Sequence, residues 1–131
     1  MDQACYRLSC KALVYDETRT KILLLQEENG IYEFPGWWLD FGETPQANIA
    51  RELFEESWLE VTRVADHPSY MITGEKDDKV CRVSNVFYET KLNGLNFTPS
   101  DECQALWFFS KEEALKLDLY STVRMFFEQL P

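Results

Sequence analysis

The feature that most restricts the fold is one amphipathic helix pattern lying between two groups of strand patterns. Thr44 is typical of an N-cap and Pro45 suits the first helical position, so a helix is expected from about Pro45 to Ser57. An apolar stripe at helical spacing follows, made of Ala47, Ala50, Leu53 and Phe54. Such a stripe needs an apolar surface to cover, and a neighbouring sheet would supply it.

Strand patterns occur on both sides of this helix. They cover residues 4–15, 21–26, 31–34, 60–73, 79–91 and 104–109. Segment 21–26 is almost wholly apolar, which predicts a central strand covered on both faces. Segments 60–73 and 79–91 are expected to pair through the polar turn at 74–78.

Two further helices are predicted near the C-terminus. Ser110 followed by Glu113 forms a capping box, and a last helix is expected from about Ser121 to Leu130. The order of strands, helix, strands and helices predicts an α/β fold with a mixed β-sheet between helical layers. The 131 residues contain no Pro/Gly-rich linker, so residues 1–131 are expected to form a single domain.

The charge balance excludes several kinds of partner. Lys and Arg number 13 against 23 Asp and Glu, a net charge of −10, which argues against binding a nucleic-acid polymer. A small phosphorylated substrate remains compatible, because bound divalent cations invert the local charge. The longest aliphatic run, Ile22–Leu25, is too short to cross a membrane. The N-terminus lacks the pattern of a signal peptide, so a cytoplasmic location is expected.

Cysteine and histidine chemistry is not favoured by the sequence. Cys5, Cys10, Cys81 and Cys103 lack the paired spacing of a zinc site and are expected to be mostly free thiols. His67 is the only histidine and lies in an Asp-His-Pro segment that is typical of a loop. A Ser-His or Cys-His nucleophile is therefore not expected.

The predicted helix carries an acidic face. Glu52, Glu55 and Glu56 stand at positions i, i+3 and i+4, so they share one side. A hard cation such as Mg²⁺ prefers oxygen ligands and would stabilise this cluster. The alternative is a plain acidic α/β domain whose glutamate face is solvated, and composition alone favours that interpretation.

The spacing around this face resembles a known signature. Residues 36–61 read GWWLDFGETPQANIARELFEESWLEV, and Glu43 is separated by seven residues from Arg51-Glu52-Leu53-Phe54-Glu55-Glu56. This pattern resembles the signature of the Nudix hydrolase superfamily, in which Glu is followed after seven residues by Arg-Glu, an aliphatic residue, any residue and Glu-Glu. The flanking Phe34-Pro35-Gly36 and Leu106-Trp107-Phe108 also resemble the family, so the likeness covers essentially the whole chain.

The resemblance implies a Nudix-type α/β/α sandwich and a metal-dependent hydrolase. Water would attack a diphosphate that links a nucleoside to another group, with Mg²⁺ or Mn²⁺ as cofactor. The implied metal ligands are Glu52, Glu55, Glu56 and the backbone carbonyl of Gly36. Glu52 is also the candidate to help deprotonate the water, and Arg51 is expected to pair with acidic neighbours that include Glu43.

Further contacts follow from the same resemblance. Another acidic ligand is expected from the loop before the late strand, where Asp101 and Glu102 are both candidates. Trp38 is a candidate to stack on a substrate base, with hydrophobic packing as the alternative. Arg82 is a candidate phosphate contact, although a surface role is favoured for it. A homodimer is an expectation drawn from the family.

Trp37 and Trp58 depart from the signature, which has glycine at both positions. Glycine at the second position ends the helix in a left-handed conformation, so Trp58 predicts either strain or a changed helix end. Trp37 adjoins the implied carbonyl ligand and is expected to pack or form a contact rather than stack. The pair of changes suggests an engineered variant or a divergent member with a modified site. The alternative function is accordingly a catalytically impaired binding or scaffold protein with the Nudix fold.

Overall fold

The computed structural model of the protein describes residues 5–75 and 82–131. The strands are β1 (Tyr6–Leu13), β2 (Ile22–Gln26), β3 (Tyr32–Glu33), β4 (Gly36–Trp38), β5 (Val61–Val64), β6 (Tyr70–Glu75), β7 (Arg82–Leu92) and β8 (Ala105–Phe109). The helices are α1 (Pro45–Ser57), α2 (Lys111–Ala114) and α3 (Ser121–Gln129). Ala4, Cys81 and most of the predicted turn at 74–78 lie outside the described residues.

The strands form a mixed sheet and a smaller antiparallel sheet. In the five-stranded sheet the order is β4-β1-β7-β5, and β6 also pairs with β7. The pairing of β1 with β7 is parallel, whereas β4, β5 and β6 pair with their neighbours in antiparallel fashion. In the three-stranded sheet β2 lies between β3 and β8. The predicted α/β fold with a mixed sheet is confirmed.

Two apolar cores lie on opposite faces of the strands. Cys10 and Ala12 of β1 join the core that includes Ile49 and Leu53 of α1. Leu13, one residue further along the strand, joins the core that contains residues of α2 and α3. Alternate residues of β2 divide in the same way, so the prediction that segment 21–26 is central and covered on both faces is confirmed.

Segment 60–73 is not one strand, and this prediction was wrong. It forms β5 and β6, which are separated by residues 65–69, and Pro68 within that gap has no N–H to offer a ladder. A second difference is β4, a three-residue strand that pairs with β1 beyond the end of the predicted strand 31–34. Gly36 permits this pairing, since its φ is +126° and an added Cβ would lie 2.1 Å from the Cys10 carbonyl oxygen.

The predicted ends of α1 are present in the structure. The Thr44 hydroxyl accepts a hydrogen bond of 3.1 Å from the Ala47 N–H, as the N-cap prediction requires. Trp58 follows the helix with φ 63° and ψ 19°, and its N–H donates to the Phe54 carbonyl. Its ring is exposed and lies 5.0 Å from the ring of Phe54. Trp58 therefore adopts the left-handed conformation that the signature glycine would adopt without strain.

The remaining local predictions have clear outcomes. The capping box of Ser110 and Glu113 is confirmed by its two reciprocal hydrogen bonds. Cys10 and Cys103 are free thiols, as expected. Among the described residues, no helix is long and apolar enough to cross a membrane.

The left-handed backbone at Trp58 predicts different stabilities for two variants with small replacements. Trp58→Gly and Trp58→Ala both remove the contact with Phe54, but only alanine keeps a Cβ in the left-handed conformation. We expect the glycine variant to be more stable than the alanine variant by about 1–2 kcal/mol in urea unfolding. Equal stabilities would show that the helix end rearranges when the indole is removed.

The close approach of β4 to β1 predicts a large penalty for a Cβ at position 36. Gly36→Ala should destabilise through both strained backbone and a clash with Cys10, a combined loss of at least about 3 kcal/mol in thermal or urea unfolding. Gly42→Ala is the matched control, because Gly42 also has a positive φ of +81° but has open space around it. Similar losses in the two variants would contradict the importance of the contact with Cys10.

Candidate active site

The acidic face of α1 turns two of its three glutamates inward. Glu52 and Glu56 are 8% and 6% exposed, while Glu55 is exposed to solvent. The Gly36 N–H donates to Glu56 Oε1 at 3.3 Å, so the first residue of β4 contacts the last inward-facing glutamate of the helix. The signature residues at the two ends of segment 36–56 thus lie together.

Burial gives both inward glutamates unusual proton affinity. The pKa of Glu56 is raised well above its ordinary value, chiefly by loss of solvent and also by the charges of Glu102 and Glu52. Burial likewise raises the pKa of Glu52, with further contributions from Glu55 and Glu102. Nearby cations oppose these shifts, Lys11 at Glu56 and Arg51 at Glu52. A bound cation would stabilise both carboxylates in their charged forms.

Glu102 is the loop acid that acts on this pair. The loop before β8 is attached to the end of α1, because the Thr98 N–H donates to the Ser57 carbonyl and the Ser100 hydroxyl donates to the Glu56 carbonyl. The charge of Glu102 raises the pKa of both buried glutamates of α1, Glu52 and Glu56. Asp101 instead uses its backbone carbonyl to accept a hydrogen bond from Glu28. Of the two candidates, Glu102 is the one whose charge affects both buried glutamates.

Arg51 lies at the centre of the exposed part of the acidic cluster. Its guanidinium binds Glu43 through two hydrogen bonds of 2.7 and 3.1 Å, the pairing expected from the sequence. It also contacts Glu52 at 3.0 Å and Glu55 at 3.1 Å. The hydrogen bonds that Glu43 accepts from Arg51 and Asn48 lower its pKa to about 2. Arg51 therefore fastens the loop before α1 to the helix and orients two glutamates.

Lys11 is the residue that the sequence analysis missed. It lies on β1, is only 2% exposed, and its Nζ is 3.3 Å from the carbonyl oxygen of Gly36. The same Nζ is 3.8 Å from Glu33 Oε1. A lysine between Cys10 and Ala12 in an apolar strand was the available signal, because a buried ammonium requires partners.

A pocket of about 150 Å³ adjoins this lysine. Its lining includes Ser9, Lys11, Glu33, Trp37, Trp38 and Asn85. The volume is comparable to the roughly 150 Å³ of a cavity that holds one benzene ring. The Ser9 hydroxyl is buried and has no hydrogen-bond partner among residues 5–75 and 82–131. Such an orphaned group is typical of a site that a polar ligand completes.

The two predicted substrate contacts occupy different places. Trp38 lines the pocket, and the guanidinium carbon of Arg7 lies 4.2 Å from its ring centroid. Arg82 begins β7, has an exposed side chain, and is absent from the described residues that line the pocket. The geometry therefore brings Trp38, but not Arg82, beside Lys11.

A larger cavity of about 710 Å³ lies near the other end of β1. Arg19 pairs with Glu89 at 2.7 Å on its wall, and Tyr15 and Phe108 also line it. None of its described lining residues comes from α1. The described lining of the smaller pocket also lacks α1 residues, but Lys11 connects that pocket to the Gly36 carbonyl, and the Gly36 N–H contacts Glu56 of α1. The acidic helix face and the smaller pocket are therefore the stronger candidate site.

The donor set suits a hard cation in its chemistry. Glu52, Glu56, Glu102 and the Gly36 carbonyl are all oxygen donors, the kind that Mg²⁺ prefers. Within the described part of the chain, no three acidic, histidine or cysteine side chains already stand in a metal-binding arrangement. Arg51 holds Glu55, and Lys11 holds the Gly36 carbonyl. These residues fit a divalent metal as a donor set, and the two cations now balance part of their charge.

A family model for the NUDIX domain matches residues 6–130. The chain belongs to the Nudix family. The general class of this protein is therefore a Nudix-type hydrolase. A comparison with curated proteins finds no match.

Solved structures share the Nudix fold of this chain. The E. coli ORF135 protein has 24% identity and a TM-score of 0.76, over 95% of this chain and 88% of that chain. The MutT protein of Methanosarcina mazei has 23% identity and a TM-score of 0.74, over 98% of this chain and 95% of that chain. An ADP-ribose pyrophosphatase of Streptococcus suis has 30% identity and a TM-score of 0.66, over 95% and 86%.

The opposite pKa shifts of Glu56 and Glu43 predict opposite pH dependences of stability. Folded Glu56 holds its proton to higher pH than unfolded Glu56, so its contribution is present below the ordinary pKa and is lost as pH rises through the raised value. Without metal, Glu56→Gln should therefore be more stable than the parent at pH 8, with the advantage shrinking toward pH 4. Urea unfolding across this range measures the difference.

Glu43→Gln is the control with the reverse sign. In the folded parent the pKa of Glu43 is about 2, so its charged form stabilises the fold above the ordinary pKa. This stabilisation is lost as pH falls toward 2. The variant should be less stable than the parent at pH 7 and approach it on acidification. The same pH trend in both variants would contradict the assigned shifts.

Proposed function

We propose that the protein is a metal-dependent pyrophosphohydrolase that cleaves a nucleoside diphosphate linked to another group. The observation that carries the proposal is the burial of Glu52 and Glu56, with the Gly36 N–H bound to Glu56 and the charge of Glu102 raising the pKa of both. Buried carboxylates that repel one another destabilise a fold unless a cation compensates them. Divalent metal bound to a diphosphate would supply that compensation at the reacting group.

The described residues have distinct parts in this mechanism. Glu52, Glu56, Glu102 and the Gly36 carbonyl would hold Mg²⁺ or Mn²⁺, and exposed Glu55 would join them after leaving Arg51. When bound by these residues, the metal would lower the pKa of a water molecule and neutralise charge on the phosphoryl oxygens. Glu52 accepts the proton of the attacking water, for which its raised pKa is favourable. Arg51 orients Glu52 and fixes the loop through Glu43.

The small pocket would receive the base of the nucleoside that carries the diphosphate. Trp37 and Trp38 supply aromatic surface at the side of the pocket. Lys11 also lines the pocket, and its ammonium contacts the Gly36 carbonyl. The proposal is supported by the Streptococcus suis relative, whose name describes cleavage of ADP-ribose. A structure named UDP-X diphosphatase, at 21% identity, shares the fold over 98% of this chain and 61% of that chain.

The direct test is a substrate panel. Nucleoside triphosphates, dinucleoside polyphosphates, ADP-ribose and nucleotide sugars are incubated with Mg²⁺, Mn²⁺ or EDTA, and released phosphate, pyrophosphate and nucleoside monophosphate are measured. We expect metal-dependent release from one class, and Glu52→Gln should lower the rate by about 10²–10⁴-fold if Glu52 is the base. Glu56→Gln should also abolish turnover by weakening metal binding.

Glu60→Gln is the matched control, since it removes one carboxylate from an exposed residue just beyond α1. It should retain the parental rate. Unchanged rates in Glu52→Gln and Glu56→Gln would reject the assigned roles, even if the parent hydrolyses a substrate.

One observation favours the second candidate, a Nudix-fold binding protein with an impaired site. Lys11 occupies the Gly36 carbonyl, and Trp37 follows directly at the position of a signature glycine. This function predicts that the folded protein binds a nucleotide but turns over no member of the panel. Turnover in Trp37→Gly but not in the parent would establish that the indole is the cause.

A further inference from the structure

We propose that Lys11 is a positioning residue that couples the pocket to the metal centre. With the pocket empty, its ammonium holds the Gly36 carbonyl and opposes metal binding there. A ligand whose acceptor oxygen binds the ammonium draws it into the pocket and releases the carbonyl. This inference rests on the proposed function, because it assumes that the Gly36 carbonyl is a metal ligand.

The first step is the position of the ammonium between two sites. Lys11 and Gly36 are register partners on β1 and β4, and the Nζ reaches back to the Gly36 carbonyl at 3.3 Å. The same side chain lines the pocket, with its Nζ 5.4 Å from the ring centroid of Trp37. A single buried cation is therefore within reach of both sites.

The second step is the conflict between this ammonium and a metal. A carbonyl oxygen has two lone pairs, but a Mg²⁺ ligand lies only about 2.0–2.1 Å from the ion. An ammonium and a divalent ion on one oxygen would be neighbouring positive charges in a region that excludes water. Lys11 also helps to compensate the charge of Glu56, a role that the metal would take over. The two cations therefore compete.

The third step is the set of polar groups facing the pocket. Ser9 lies two residues before Lys11 on the same face of β1, and its buried hydroxyl has no partner in the described structure. Asn85, its register partner on β7, is 4% exposed and also lines the pocket. Trp38 is the register partner of Ser9 on the other side. A flat ring with carbonyl oxygens and N–H groups, such as a nucleobase, matches this combination of indole, hydroxyl, amide and ammonium.

Glu33 explains why the lysine can move without leaving an unpaired charge. Its Oε1 lies 3.8 Å from the Nζ and also accepts the Phe34 N–H at 2.8 Å, so the carboxylate is fixed on the pocket wall. A shift of Lys11 away from Gly36 keeps it beside this carboxylate. Glu33 is thus a stationary counter-ion for the mobile ammonium.

The test measures the affinity for Mn²⁺ by electron paramagnetic resonance, without any substrate turnover. Lys11→Met should bind Mn²⁺ at least about fivefold more tightly than the parent, at the lower end of typical coupling. Lys11→Arg keeps the positive charge and should bind Mn²⁺ as weakly as the parent does. Lys21→Met removes a lysine at an exposed ion pair with Glu113 and should match the parent. Lys11→Met/Glu33→Gln removes both members of the charge pair and should show the same tighter Mn²⁺ binding. This variant keeps the test valid if Lys11→Met alone fails to fold.

The second arm adds adenosine, guanosine, cytidine or uridine, which lack phosphates and therefore cannot bring Mn²⁺ with them. At least one nucleoside should tighten Mn²⁺ binding to the parent and leave the affinity of Lys11→Met unchanged. Equal or weaker Mn²⁺ binding by the lysine-free variants, or no effect of any nucleoside, would overturn the coupling. If neither the parent nor these variants bind Mn²⁺, the proposed metal-dependent function fails as well, which distinguishes the two results.

Discussion

The contact that the rest of the site depends on is the approach of Gly36 to β1. No side chain fits at this position, because a Cβ would lie 2.1 Å from the Cys10 carbonyl oxygen. The absence of that atom lets β4 join the sheet, and its first N–H then reaches Glu56 on α1. The same approach places the Gly36 carbonyl within reach of Lys11. One glycine therefore determines the relative positions of the sheet, the helix and the pocket.

Charge compensation around this contact is divided between two cations with different surroundings. Arg51 is partly exposed and binds the carboxylates at the outer side of α1, where solvent screens the interactions. Lys11 is buried and acts on Glu56 and Glu33, where an unpaired charge would be far more unfavourable. The outer ion pairs consequently hold the loop and helix together. The inner cation instead offsets part of the charge of the buried carboxylates around it.

Local patterns predicted the parts of the structure that depend on neighbouring residues. The ends of α1 and its acidic face follow from capping residues and helical spacing, which act over a few positions. The strand β4 and the burial of Lys11 were not predicted, because they arise from pairing between segments about 25 residues apart. The approach of the loop before β8 to the end of α1 was likewise not predictable from spacing, because it depends on hydrogen bonds between distant segments. Non-local pairing, which spacing does not encode, accounts for these differences.

The two tryptophans at signature positions act on different properties of the protein. Trp58 occupies a left-handed conformation beyond α1 and contacts Phe54, so its consequence is backbone strain at the helix end. Trp37 lies in the extended backbone of β4 and is partly exposed, so that backbone does not require glycine. Its indole instead lines the pocket beside Lys11. An effect on chemistry should therefore come from position 37 through the pocket and the lysine, while position 58 should act mainly on stability.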